Sequence, residues 1–424
     1  SGEVRAIDPS GGSLGTIARG EAEVRVIGAV AFVWTNLQFD GDGNALAGAL
    51  TVWRRGESPS KKADSSAVGS VAASADGSRV LYTTLQSGGT AGVLLAPVGE
   101  GTATPLAAKV GAQGVCQERM QLAFVGPGRG RPVVSYCAGA APPFTLEAFA
   151  ESGGAGVKLG DSIAPFFQAN RSGTALWYQQ VAADSATGPV RAVTLDGAST
   201  DLAEGVADGE WIPTADGTTL VFRAGSSLRR VPTAGGASQT LAADGVLRLA
   251  GVSPSGQHAL VGGQVGPRTD GDPTYDVKLL PLAGGPAVAV YNDNDARIDV
   301  LESPFTSDGR HVLFLSRLNR TGAAGELQIV PVSGGTGFFV GRNVVDAYAV
   351  SRGDEPTSLV VVDEFTSDVG EAFNVYLADA AAQKVDLLAT QTTSGAFFVS
   401  QQSKVVYSYT ATAAEAGIYL SPVY

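Results

Sequence analysis

The side chains with the most obvious chemistry are oxygen ligands on short loops. Asp40, Asp42 and Asn44 alternate with glycines in the run 39–44, the spacing with which a calcium loop begins. Position six of an EF-hand would be Ala45 rather than Gly, and position twelve Thr51 rather than Glu. Asp270, Asp272 and Asp276 form a second acidic group, and Asp293, Asp295 and Asp299 a third. Such runs suit a hard cation, and equally suit solvated Asp–Gly turns. The expectation is no cofactor, with calcium at Asp40, Asp42 and Asn44 as the one ion the residues could take. Two His and two Cys are too few for a zinc ribbon or an iron–sulfur centre. His258 and His311 stand at equivalent places in two repeats and read as structural. No Ser/His/Asp set is visible, so no catalytic residue is assigned. The sequons at Asn170 and Asn319 read as accidental, since Asn170 sits inside a turn motif.

Cys116 and Cys137 flank a hairpin predicted at 120–125 and 132–137, and a bulge would bring them opposite each other. An even, minimal cysteine count predicts a structural disulfide, closing a loop of about 20 residues and worth on the order of 3 kcal/mol.

What positions these residues is a repeat. A small residue, Ser or Ala, a polar residue, Gly, two residues and an apolar run recur as SADGSRVLYTT, NRSGTALWYQQ, TADGTTLVFRA, SPSGQHALVGG and TSDGRHVLFLS, with a decayed copy from Ser351. The anchor glycines Gly77, Gly173, Gly217, Gly256, Gly309 and Gly353 advance by a mean step of 46 residues once one hidden copy near 120–137 is counted. Each Asp–Gly or Ser–Gly reads as a two-residue hairpin turn, with positive φ supplied by the glycine. The run after it is apolar at consecutive positions, so that strand is covered on both faces. A second strand and a short third segment follow in every copy. With the strand that enters the turn, each unit holds four antiparallel strands, a propeller blade.

The expected fold is therefore all-β: a single closed β-propeller over 1–424 of four-stranded antiparallel blades, nine by count with eight as the alternative. The units run approximately 22–64, 66–108, 113–160, 163–205, 208–243, 244–291, 297–341, 343–391 and 394–424 plus 1–20. Pairing of the N-terminal strand with the C-terminal strands would close the ring and remove an exposed edge.

The turn-and-strand pattern, with the later Gly–Gly turns in TAGGASQTL, LAGGPAVAV and VSGGTGFFV, resembles the TolB-like or PD40 class of WD40-like repeats. The resemblance covers about 68–388 and implies periplasmic or secreted propellers that bind proteins, or propeller domains attached to serine peptidases. The expectation is a propeller without the small α/β domain that precedes that of TolB and without a peptidase domain.

Second-to-third connections are the longer loops, where specificity would reside. They carry Arg268, Asp270, Asp272, Tyr275, Arg317 and Arg320, and Trp211 and Tyr291 should reach the same face. These eight are the expected partner-binding residues, with packing between blades as the competing role for Trp211. A net charge of −12 excludes nucleic acid and disfavours anionic lipid, and no apolar run is long enough to span a membrane. The expected function is a non-enzymatic binding scaffold, monomeric, recognising a protein or cell-envelope component. Its expected place is the bacterial periplasm, the medium or the outer surface, with lipoprotein anchoring as the expected mode of attachment. The alternative is a carbohydrate-active enzyme, a lyase or glycoside hydrolase with acidic residues in the central channel.

Overall fold

The computed structural model describes residues 3–7, 13–19, 21–39, 41, 45–86, 90–111, 114–126, 128, 130–139, 141–170, 172–181, 187–263, 274–298, 301, 304–318, 324–352, 355–366, 372–392, 397–399, 404–409 and 417–422. The described fold is all-β, and its pairings are antiparallel. Among the described residues the one helical turn is Val115–Glu118. The chain forms two compact units, Ser1–Gly209 and Glu210–Tyr424.

Unit one contains two separate four-stranded sheets. The first joins Ala22–Ile27, Val30–Phe39, Ala45–Arg54 and Ser60–Ala67; the second joins Val71–Ala73, Arg79–Gln86, Thr90–Pro97 and Thr104–Gly111. A longer meander follows through Gln121–Val125, Arg131–Cys137, Phe144–Ala148, Val157–Ala169, Ala175–Gln180 and Thr187–Thr194. Burial follows the sequence pattern, since Val30, Phe32, Val33 and Trp34 are at most 1% exposed although they point to both faces. The N-terminal strand Glu3–Ile7 pairs with Ser13–Arg19, from Glu3 opposite Arg19 to Ile7 opposite Ser13. The described pairings of the C-terminal strand Gly417–Pro422 are with Lys404–Tyr409.

Unit two repeats the four-stranded pattern in Arg248–Val252, His258–Gly262, Tyr275–Pro281 and Val288–Ala296. A meander continues through His311–Ser316, Gly325–Pro331, Phe338–Arg352, Glu355–Phe365, Phe373–Asp379 and Lys384–Thr392. Some strands serve two neighbours in succession. The first half of Val157–Ala169 pairs with Phe144–Ala148 and the second with Ala175–Gln180, the direction changing at Ser162, whose φ is 51°. Phe338–Arg352 does the same at Asn343, φ 54°, passing from Gly325–Pro331 to Glu355–Phe365. The sequence expectation of separate strands at these passages is thus replaced by one bent strand.

The repeated turn also differs in detail from its expectation. Gly217 N–H donates to the Thr214 carbonyl at 2.8 Å, and Gly217 alone in the turn has positive φ. That is a type I turn closed by a left-handed glycine, since a mirror-image turn needs its positive φ at earlier positions. The Thr214 hydroxyl donates to Asp216 Oδ1 at 2.6 Å, and that oxygen also accepts from Thr218 N–H at 3.0 Å. Gly77, Gly173, Gly256 and Gly309 repeat the geometry, with φ of 64°, 68°, 66° and 68°.

Polar side chains tie strands that are not ladder neighbours together within each unit. In unit one, Gln121 brackets Phe167, accepting its N–H at 2.8 Å and donating to its carbonyl at 3.2 Å. In unit two, buried Glu210 accepts Leu249 N–H at 2.8 Å and pairs with Arg223 at 2.6 Å and Arg248 at 3.2 Å. A buried carboxylate is tolerable because it is bonded and charge-balanced.

Cys116 and Cys137 are disulfide-bonded, with Cα atoms 5.7 Å apart. No bulge is needed, because Gln121–Val125 pairs with Arg131–Cys137 in unbroken register. The helical turn Val115–Glu118 carries Cys116 back to the hairpin's open end instead.

Candidate functional site

In unit two a polar cavity of about 300 Å³ is lined by Tyr291, Arg317, Glu326, Gln328, Phe339 and Arg342. Strand register explains the assembly. Glu326 and Gln328 are two apart on Gly325–Pro331, so they share a face, and Phe339 lies directly opposite Gln328. Ser316 is opposite Glu326, so Arg317, the next residue, leaves its strand beside that carboxylate.

Arg317 Nη1 is 3.3 Å from Glu326 Oε2 and Arg342 Nε is 3.5 Å from Oε1. The Glu326 side chain is 15% exposed, and both guanidiniums are mostly in solvent. Arg317 has φ 46°, a left-handed backbone that a long side chain seldom adopts. Tyr291 reaches the cavity from Val288–Ala296, its ring tilted on Phe314 at 5.2 Å and its hydroxyl donating to Asp295 Oδ1 at 2.6 Å. Burial, followed by the Asp295 carboxylate, pushes the Tyr291 phenol well above its ordinary pKa. It therefore stays protonated through the neutral range, a proton donor rather than a base. The cavity thus holds one carboxylate, two guanidiniums, one phenol and an exposed aromatic ring, which together can accept a proton, donate one and hold an anion.

In unit one a cavity of about 460 Å³ lies between Glu118–Gln121 and Pro165–Phe166. The disulfide fixes its helical wall, and its lining offers little chemistry beyond Glu118 and Arg119.

Of the expected partner-binding residues, the structure brings Tyr291 and Arg317 to one cavity. Trp211 and Tyr275 are 1% and 6% exposed and belong to the packed interior. Arg268, Asp270, Asp272 and Arg320 lie outside the described residues, as do Asp40, Asp42 and Asn44 of the expected calcium loop. Among the described residues no three His, Cys, Asp or Glu side chains cluster as metal ligands. His258 and His311 open their strands, partly buried, and burial lowers the pKa of each.

Glu326, Gln328, Phe339 and Arg342 were not singled out by sequence. The polar–apolar–polar run Glu326-Leu327-Gln328 marks one face of a strand, but the same alternation occurs elsewhere. Which cross-strand neighbours meet that face depends on register, which spacing alone does not supply.

The chain matches no family model and no curated protein. Among solved structures it is similar to a eukaryotic initiation factor, at TM-score 0.50 and 13% identity over 78% of this chain and 80% of that one. It is also similar to an oligogalacturonate lyase in complex with manganese, at TM-score 0.43 and 12% identity over 81% and 96% of the two chains. A prolyl endopeptidase aligns at TM-score 0.43 and 15% identity over 80% of this chain and 52% of that one. These identities bear on the fold alone, and no family model confirms the resemblance to TolB-like repeats. The expectation of a non-enzymatic scaffold is corrected: Glu326, Tyr291, Arg317 and Arg342 line one cavity, a set of groups that the sequence had not brought together.

Proposed function

We propose that this chain is a carbohydrate-active enzyme, a lyase or glycoside hydrolase, with Glu326 and Tyr291 as its acid–base pair. The observation that carries the reading is their presence on one cavity with opposite proton roles. Glu326 is the base, removing a proton from the sugar or from an attacking water. Tyr291, kept protonated by burial and by Asp295, turns its hydroxyl from that carboxylate to the departing glycosidic oxygen and gives it the proton, which water then restores. Phe339, 45% exposed, offers a flat ring to a sugar face.

The scaffold we propose is a single closed propeller of nine units, or eight, of the TolB-like repeat class; the recurrent turn at Gly77, Gly173, Gly217, Gly256 and Gly309 supports it. We place the enzyme outside the cytoplasm, in the periplasm, the medium or on the outer surface, with a cell-envelope glycan as substrate. The buried disulfide supports that compartment, and no described helix is long and apolar enough to cross a membrane.

The test is cleavage of a polysaccharide panel, followed by new reducing ends and by the ultraviolet absorbance of unsaturated products. Glu326→Gln should lower kcat by about 100-fold or more and Tyr291→Phe by about 10-fold or more, within the range of general acid–base catalysis. Wild-type rates in Glu326→Gln, or no polysaccharide cleaved, would overturn the assignment.

A further inference from the structure

We infer that Arg317 and Arg342 form an oxyanion subsite that selects a sugar bearing a carboxylate or sulfate, and that this anion competes with Glu326 for the two guanidiniums. The inference rests on the enzymatic reading above and names its substrate class.

Three observations converge on it. First, the lining carries two positive charges against one negative, in a chain whose net charge is −12. Of the further carboxylates, Asp295 accepts from the Tyr291 hydroxyl, and Glu364, beside Gly341, accepts from the Tyr376 hydroxyl. Second, the two guanidiniums approach Glu326 only to 3.3 and 3.5 Å, longer than a tight charge-assisted hydrogen bond. A guanidinium has five N–H donors in a planar fork, so most of this donor set is unspent on Glu326. Planar forks match carboxylate and sulfate oxygens better than they match hydroxyls. Third, Arg317 is held at φ 46°. A non-glycine residue in that region costs energy and is retained where the surroundings demand it, often where a side chain must be aimed.

The competition gives the site a logic. While the cavity is empty, the two guanidiniums lie against Glu326. When a charged sugar lies on Phe339 with its oxyanion in the fork, the arginines turn to it and Glu326 is released to accept a proton. A neutral sugar gives no such release. Selection and activation are therefore the same event.

Binding rather than turnover tests this, so the two proposals can fail separately. The ligands are a hexuronic-acid oligosaccharide, its fully methyl-esterified neutral form and a sulfated oligosaccharide of equal length, titrated calorimetrically at low and high salt. The charged forms should bind, the ester at least about 10-fold more weakly, and added salt should weaken only the charged ones. Arg317→Gln and Arg342→Gln should each weaken the charged ligand about 10-fold, the scale of one lost charge-assisted contact. Glu326→Gln should tighten it several-fold, because the competitor is gone; a merely structural Glu326 would not do so. Circular dichroism of each variant confirms folding, and both arginines are exposed enough for folding to survive. Binding of either anion supports the subsite, and the tighter one names the group. Equal binding of ester and acid, or arginine variants that bind the acid as the wild type does, would overturn it. Charged-ligand binding without cleavage of any glycan would keep the subsite and sink the enzyme. Cleavage of an acidic glycan by Arg317→Gln with the wild-type KM and kcat would do the reverse.

Discussion

Asp308 shows how much one side chain can organise. Its carboxylate accepts from the Thr306 hydroxyl at 2.7 Å, from Arg310 N–H at 3.1 Å and from the Ser358 hydroxyl, and its own N–H donates to the Thr357 carbonyl at 3.1 Å. It therefore closes a turn and fastens that turn to the next strand. Burial works to raise its pKa, but the Ser358 and Thr306 hydroxyls and the Arg310 amide outweigh burial and hold it below the carboxylate range. A depressed folded pKa means that the stabilisation is complete above the unfolded value of about 3.9 and fades as pH falls through the folded one. Asp308→Asn should accordingly lower the urea midpoint at pH 7, and the gap from the wild type should narrow progressively below pH 4. A gap unchanged at pH 2.5 would show that the carboxylate's charge contributes nothing. At this scale the sequence exposed part of the candidate site. Arg317 and Tyr291 were readable because loops and strand ends gather on one edge of a sheet. Glu326 was not, because its neighbours Arg317 and Arg342 come from two other strands.

Among the elements, the turn was the most legible. Its Gly punctuation and the apolar run behind it predicted where strands begin and which are covered on both faces, as Leu220, Val221 and Phe222 are. The turn type was missed, because Asp–Gly is compatible with several loop lengths and only the closing pair decides. Gly173 and Gly256 share a positive φ but differ in surroundings. A methyl group at Gly173 would sit 2.3 Å from Gly126 N, whereas at Gly256 its nearest neighbour is Thr214 Cγ2 at 3.5 Å. Gly256→Ala should therefore cost about 1 kcal/mol from the left-handed backbone alone. Gly173→Ala should cost more, since backbone must move as well. Chemical denaturation of the two variants compares them, and equal losses would refute the role assigned to Gly126. The bent strands had no sequence signal: Ser162 and Asn343 are ordinary polar residues whose backbone is imposed by the sheets on either side.

At the scale of the whole molecule, the repeated turn-and-strand pattern foretold an all-β chain, and the two cysteines foretold their bond. The route was different from the one expected, a helical turn instead of a bulge, because four residues of helix are too few to announce themselves. The bridge spans a sequence separation of 21, and Cys116→Ser should cost about 3 kcal/mol by loop entropy. Reductant should lower the wild-type unfolding midpoint to that of the variant and leave the variant's own midpoint in place; a midpoint indifferent to reductant would contradict this.

The strands that bend at Ser162 and Asn343 leave no spare chain where one sheet hands over to the next. Ile163 is registered with Phe144 on one side and Gln180 on the other, so a residue added there must spoil two ladders together. Length variation, epitope tags and grafted loops have to enter at the connections elsewhere in each unit. The fold thereby fixes where this chain can diversify and where it can only be copied.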